Sequence, residues 1–223
     1  MSDSDSFIEE VTEEVRRDRL FLLFRRYGWI AVVLIVLIVG VAAFNEYRKA
    51  QDRAAAQALG DGIIAALAAN DPGTRAASLE AIQADTPGGA AVLSFLIAAS
   101  EAEAGETGQA ADRLNAIATN GDLPEIYRQI ASFKALTLQA DSLPADERRV
   151  QFQALAQPGA PLRLLAEEQL ALIDISEGET AAAIDRLQAI LDDAAVTADL
   201  QQRVAQVIVA LGGTPQMPAR TQG

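Results

Sequence analysis

Neither cysteine nor histidine occurs in this 223-residue chain. Without cysteine there is no disulfide framework and no thiolate metal site. Without histidine the commonest general base and the commonest metal ligand are both missing. Any chemistry would have to run on carboxylates, lysines and hydroxyls. The sequence also has no phosphate-binding loop, no dinucleotide fingerprint, no G-x-S-x-G elbow and no metal-ligand spacing. We therefore expect no enzyme and assign no catalytic, cofactor-binding or metal residue and no cofactor. Positive charge is short as well, with 18 Lys and Arg against 31 Asp and Glu, a net charge of −13. Such a surface repels phosphate backbones, which argues against nucleic acid as a partner. Aromatic residues make up only 5% of the chain, and β-branched residues are scarce outside one early block.

What fills the space is alanine, leucine, glutamine and glutamate, the strong helix formers, so the expected fold class is all-α. The early block is the exception. From Tyr27 to Phe44 the chain reads YGWIAVVLIVLIVGVAAF, 18 residues without a charge. At about 1.5 Å per residue, a helix of that length covers roughly 27 Å of hydrocarbon. A strand of 18 residues would be unusually long, so length decides for a single transmembrane helix. Tyr27, Trp29 and Phe44 are the expected membrane-anchor residues, with Tyr27 and Trp29 at one interface and Tyr47 just beyond the other. Five arginines precede the run and three basic residues follow it closely. This asymmetry places the N-terminus in the cytoplasm and the C-terminal domain on the opposite side. A cleaved signal peptide is the competing reading, with Val41-Ala42-Ala43 imitating a cleavage site. Against it stand the long, acid-rich segment before the run and the length of the run itself.

The expected organisation is then a cytoplasmic amphipathic segment over 1–26, a span with its boundary over 27–48, a helical domain over 49–212 and a disordered tail over 213–223. In the first segment Ser6 and Glu9 have capping-box spacing, and Phe7, Val11 and Val15 recur every four residues. Beyond Phe44 the net charge is −11. Turn signals cut this part into lengths suited to helix pairs: Asn70-Asp71-Pro72-Gly73, Thr86-Pro87-Gly88-Gly89, Asn120-Gly121-Asp122, Asp141-Ser142-Leu143-Pro144, Gln157-Pro158-Gly159 and Gly212-Gly213. Asp122 and Glu125 repeat the capping-box spacing. Gly60-Asp61-Gly62 falls inside a helical pattern and reads as close packing rather than a phosphate loop.

One block occurs twice. Residues 105–117 read GETGQAADRLNAI and residues 178–190 read GETAAAIDRLQAI, identical at nine of 13 positions and 73 residues apart. That offset is about two units of a 34-residue helix–turn–helix repeat. Gly105 and Gly178 are expected to end one helix in the left-handed region, and Thr107 and Thr180 to cap the next. Ala110, Leu114 and Ile117 share one stripe, as do Ala183, Leu187 and Ile190.

The glycine between helices, the small residue five positions later and the large apolar residues at nine and twelve resemble the tetratricopeptide pattern. Ser94 and Glu101 stand where that family usually has tryptophan and tyrosine. The stretch DSFIEEVTEEVRRDRLFLLFRRYGWI, followed by one span and such repeats, resembles the YfgM-like family, ancillary subunits of the SecYEG translocon. The resemblance implies a bacterial inner-membrane protein with a periplasmic, tetratricopeptide-like solenoid of helical hairpins. It implies a scaffold for protein–protein interaction that links the translocation channel to periplasmic chaperones. An accessory structural subunit of another inner-membrane complex is the alternative. Repeat arrays bind through the face lined by the first helix of each pair, where Glu103 and Glu168 are the polar candidates. Phe95, Tyr127, Phe133 and Phe152 read as interhelical core. The neighbouring carboxylates Glu167 and Glu168 should point apart and serve no acid–base pair.

Overall fold

The computed structural model describes the backbone of residues 3–216 and the side chains of Arg25, Trp29, Ile30 and residues 32–216. Among these residues the secondary structure is all helix: α1 (Asp3–Leu67), α2 (Pro72–Glu80), α3 (Pro87–Glu103), α4 (Thr107–Ala118), α5 (Glu125–Leu138), α6 (Ala145–Leu155), α7 (Arg163–Ser176), α8 (Thr180–Leu191) and α9 (Ala198–Ala210). Two compact units result, Met1–Ala58 and Leu59–Gly223.

In the first unit α1 carries the apolar run. Trp29, Ile30 and the large apolar residues from Val32 to Phe44 are all exposed, Trp29 at 64% and Phe44 at 61%. Among the described residues no helix is long and apolar enough to cross a membrane. The expected span starts at Tyr27, whose side chain, like those of Gly28 and Ala31, lies outside the described ones. The uninterrupted described part, Val32–Phe44, measures only about 20 Å at 1.5 Å per residue. The side-chain pattern expected over residues 1–24 also lies outside the described residues.

The second unit starts with the last turns of α1, and from α2 to α9 each helix packs on the next. Four apolar layers follow one another along the array. Ala66 of α1, Ala76 and Leu79 of α2, and Leu93 and Ile97 of α3 form one. Ala91 and Ala98 of α3, Leu114 and Ile117 of α4, and Ala131 and Ala135 of α5 form the next. Leu136 of α5, Phe152 and Leu155 of α6, and Leu170 and Ile173 of α7 make the third. Ala171 of α7, Leu187 and Leu191 of α8, and Val204 and Ile208 of α9 make the last. Helices α3, α5 and α7 each serve two layers, which is how a one-dimensional array keeps a continuous core. Phe152 is fully buried, with its ring edge-on to Phe133 at 5.7 Å between centroids. A Cβ at Gly62 would meet Ile82 at 3.5 Å, an ordinary contact, and one at Gly60 would meet nothing within 4 Å, so close packing does not require either glycine.

Several turn signals act as expected. Asp71 caps α2 by accepting from the Thr74 N–H at 2.7 Å. Thr86 caps α3 by accepting from the Gly89 N–H at 3.1 Å. Both helices open on a proline, whose missing N–H costs nothing there. Thr107 and Thr180, however, do not cap. They are the first helical residues, and the preceding Glu106 and Glu179 occupy the cap positions without a side-chain bond. The turn from the glycine is too short to leave the threonine outside the helix. Asp122 makes no capping box either: its own N–H donates to Asn120 Oδ1 at 3.0 Å, and Pro124 precedes α5. Of the expected tail, residues 213–216 are held. Gly213 N–H donates to the Ile208 carbonyl, and the main chain of Gln216 exchanges two hydrogen bonds with the Gln188 side chain. Residues 217–223 lie outside the described ones.

Candidate functional site

The repeated block sets up the local geometry. Gly105 has φ +87° and Gly178 φ +80°, the left-handed conformation that other residues adopt only at a cost. Each completes a Schellman motif. The Glu106 N–H reaches the Glu101 carbonyl and the Gly105 N–H that of Ala102; Glu179 and Gly178 do the same to Asp174 and Ile175. Glu101 and Asp174 therefore occupy equivalent places three positions from the helix end. Their side chains are buried, at 4% and 1% exposure. Burying a carboxylate is costly unless it is paired and hydrogen-bonded. The pairing comes from the block itself, twelve residues on in both copies. Arg113 donates to both oxygens of Glu101, at 2.6–3.1 Å. Arg186 Nε donates to Asp174 Oδ2 at 3.0 Å, and Arg149 of α6 reaches Asp174 Oδ1 at 2.5 Å. Burial alone would raise the Asp174 carboxyl, but the hydrogen bonds from Arg149 and Arg186 outweigh it and hold it below the usual carboxylate range. The hydrogen bonds that Arg113 donates to Glu101 correspondingly raise its guanidinium.

These acids escape a reading by motif because they stand where tetratricopeptide repeats usually have an aromatic. A signal was present nonetheless. The 73-residue offset that aligns the two blocks also aligns Glu101 with Asp174 and Arg113 with Arg186. Two acids facing two arginines at one spacing is a buried ion pair written twice.

On the face lined by α3 and α5 the two copies differ. A groove of about 290 Å³ lies between these helices, with Phe95, Ala99 and Ala102 on one wall and Phe133, Lys134 and Leu138 on the other. Lys134 is exposed and has no ion-pair partner among the described residues. At the same register in the second copy, Phe95 becomes Glu168. Glu168 is 6% exposed, and Arg203 of α9 grips both its oxygens, at 2.5 and 2.7 Å. The α7–α9 face is thus stitched shut by an internal ion pair where the α3–α5 face stays open and apolar.

Of the expected polar candidates, Glu103 is exposed and paired to Arg75 of α2 at 2.9 Å. Glu168 is buried in that α7–α9 bridge. The structure does not bring the two together, and the charge of Glu168 is already committed. Glu167 and Glu168 do point apart, Glu167 meeting Arg186 at 2.7 Å on the other side of α7. Trp29 and Phe44 are exposed on α1 in the other unit; the side chain of Tyr27 is outside the described ones.

Against families of known proteins, residues 24–148 match the model of a tetratricopeptide repeat-like domain. No curated protein and no solved structure matches the chain. The match ends near the start of α6, so the second copy is recognised through its internal likeness to the first. The chain belongs to the family of tetratricopeptide repeat-like domains, all-helical arrays that characteristically act as protein-interaction scaffolds.

Proposed function

We propose that this protein is a membrane-anchored interaction scaffold of the bacterial inner membrane, with residues 1–26 cytoplasmic, one span over Tyr27–Phe44 and the repeat domain in the periplasm. One observation carries the anchor: among the described residues α1 is apolar on every side from Val32 to Phe44, and its large apolar side chains there are all exposed. A helix apolar all round is stable only inside a protein core or a bilayer. With Tyr27–Ala31 included, the uncharged run of the sequence has the length a bilayer requires. The surplus of arginines before the run supports the orientation. The open α3–α5 groove supports a scaffold whose partners are proteins.

In this reading the chain is an ancillary factor of the translocation channel. Residues 1–44 lie beside the SecYEG-type complex, while the repeat domain engages periplasmic proteins, chaperones among them. The apolar α1 surface also suits an accessory structural subunit of a different inner-membrane complex. An anchor exchange separates the two. The full chain with residues 1–44 replaced by an unrelated single span should lose the channel complex in a purification from crosslinked membranes, yet keep its periplasmic partners. Loss of both sets together would favour the accessory subunit. Protease added to spheroplasts should remove the domain beyond residue 50; its protection there would reverse the orientation.

A further inference from the structure

Along the α3–α5 face, polarity is inverted relative to the second copy. Phe95, Ile126 and Ile130 stand where the second copy, 73 residues on, has Glu168, Asp199 and Arg203. Val92 and Ile126 are 40% and 39% exposed. By helical spacing they extend the stripes of Phe95 on α3 and of Ile130 on α5 by a further turn. Ala99 and Ala102, in the groove wall, are Leu172 and Ile175 in the second copy. Each alanine is three carbon atoms short of its counterpart, and that shortfall leaves room for a branched aliphatic side chain. Lys134 is inverted the other way, because its counterpart Val207 packs in the last apolar layer. It is the one charged residue in the groove lining. One turn away on α5 stand Ile130, Ala131, Thr137 and Leu138, none of them an acid. On α3, Glu101 is committed to Arg113 and Glu103 to Arg75. The chain has only two lysines, Lys49 and Lys134, and every ion pair among the described residues uses arginine. Lys134 is thus a cation at an apolar cleft, with no acid of its own chain to meet.

We propose that the α3–α5 groove binds a segment of a partner protein that carries a branched aliphatic side chain next to an aspartate or glutamate. The aliphatic group would lie over Ala99 and Ala102, and the carboxylate would meet the Lys134 ammonium. Apolar contact then supplies the affinity, while the ion pair orients the segment and rejects basic ones. Beyond Phe44 the chain carries −11, so diffuse attraction would favour basic segments, and a preference for acidic ones has to come from this groove. From Phe95 to Ala102 the wall is about 10 Å long at 1.5 Å per residue, which suits a side chain better than a lipid tail. The inference rests on the scaffold reading and deepens it by naming the partner's chemistry.

The test uses full-length protein in lipid nanodiscs, with 13C-labelled threonine methyls. The probe is the peptide acetyl-Gly-Asp-Leu-Asp-Gly-amide, whose blocked ends leave only side-chain carboxylates. Versions with asparagine for both aspartates and with glycine for leucine are run alongside, together with octanoate. A saturable shift is expected at Thr137 in the groove and none at Thr197, which caps α9. The asparagine peptide should bind about threefold more weakly, the worth of a partly exposed ion pair. The leucine-free peptide should not saturate. Lys134→Ala, at an exposed position, should erase the difference between the aspartate and asparagine peptides. Ala99→Leu, also at an exposed position, installs the second copy's residue and should abolish the Thr137 response. Equal binding of the two peptides by the unmodified protein would overturn the site, as would a preference for aspartate that survives Lys134→Ala. So would no response at Thr137, or octanoate saturating Thr137 more tightly than the peptide does. Each of these results leaves the scaffold reading standing, since that reading fails only if crosslinked membranes yield no periplasmic partner.

Discussion

At the scale of single residues, Asp174 carries the most. It is 1% exposed, it accepts from Arg149 and Arg186, and its main-chain carbonyl closes the helix end through the Glu179 N–H. Asp174→Ala would leave two guanidinium groups facing an apolar site, each with one other acid to fall back on. Breaking such a pair should destabilise the domain by about 2–4 kcal/mol, read from urea unfolding. The same residue sets an acid limit. Its carboxyl is depressed in the folded state, so the stability it adds is complete above the unfolded aspartate pKa of about 3.9. That stability disappears as pH falls through the lower folded value. Asp174→Asn should accordingly flatten the acid limb of the stability profile and lower the neutral plateau; an unchanged limb would contradict the pairing. Gly178 is the other decisive residue. A Cβ there would meet nothing within 4 Å, and the strain comes from φ +80° alone. Gly178→Val should cost about 1–3 kcal/mol and Gly178→Asn clearly less, since asparagine tolerates the left-handed region.

At the scale of elements, the helices could be read from the chain with little help. Asp71-Pro72, Thr86-Pro87 and the repeated glycines mark ends that the structure keeps. The stripes of Leu114 and Ile117, and of Leu187 and Ile190, all lie in buried layers. What was illegible depends on groups distant in sequence. Glu168 looks like any surface glutamate until Arg203, 35 residues on, closes over it. Thr107 has the chemistry of a cap, but the Schellman turn before it fixes where the helix starts. Substituting Glu168 is therefore a poor probe of binding. Glu168→Lys would set a second cation beside Arg203 and should cost about 3 kcal/mol, lowering the thermal midpoint before any partner is added. Glu168→Gln, which keeps the shape, should cost less. Leu187 is 0% exposed between α7, α8 and α9, and Leu187→Ala should cost about 3 kcal/mol by leaving a cavity.

At the scale of the molecule, two copies of one three-helix unit, α3–α5 and α7–α9, have diverged. In the second, Glu168–Arg203 closes the α7–α9 face internally. In the first, Phe95 stands at the position of Glu168 and the α3–α5 face stays open. The outward side of α9, the last helix among the described residues, mixes Gln201, Gln202 and Gln206 with Ala205 and Val209. Such a division puts the open apolar groove on the first copy. The central claim is a scaffold that engages other proteins through that first copy, and site-specific photocrosslinking in native membranes tests it most directly. A photoreactive residue is placed at Thr137, beside the α3–α5 groove, and in a second protein at Ala210, its counterpart 73 residues on. The account predicts discrete crosslinked species from position 137 and none from position 210, with both proteins equally abundant. Equal yields from the two positions, or species from 210 alone, would contradict it.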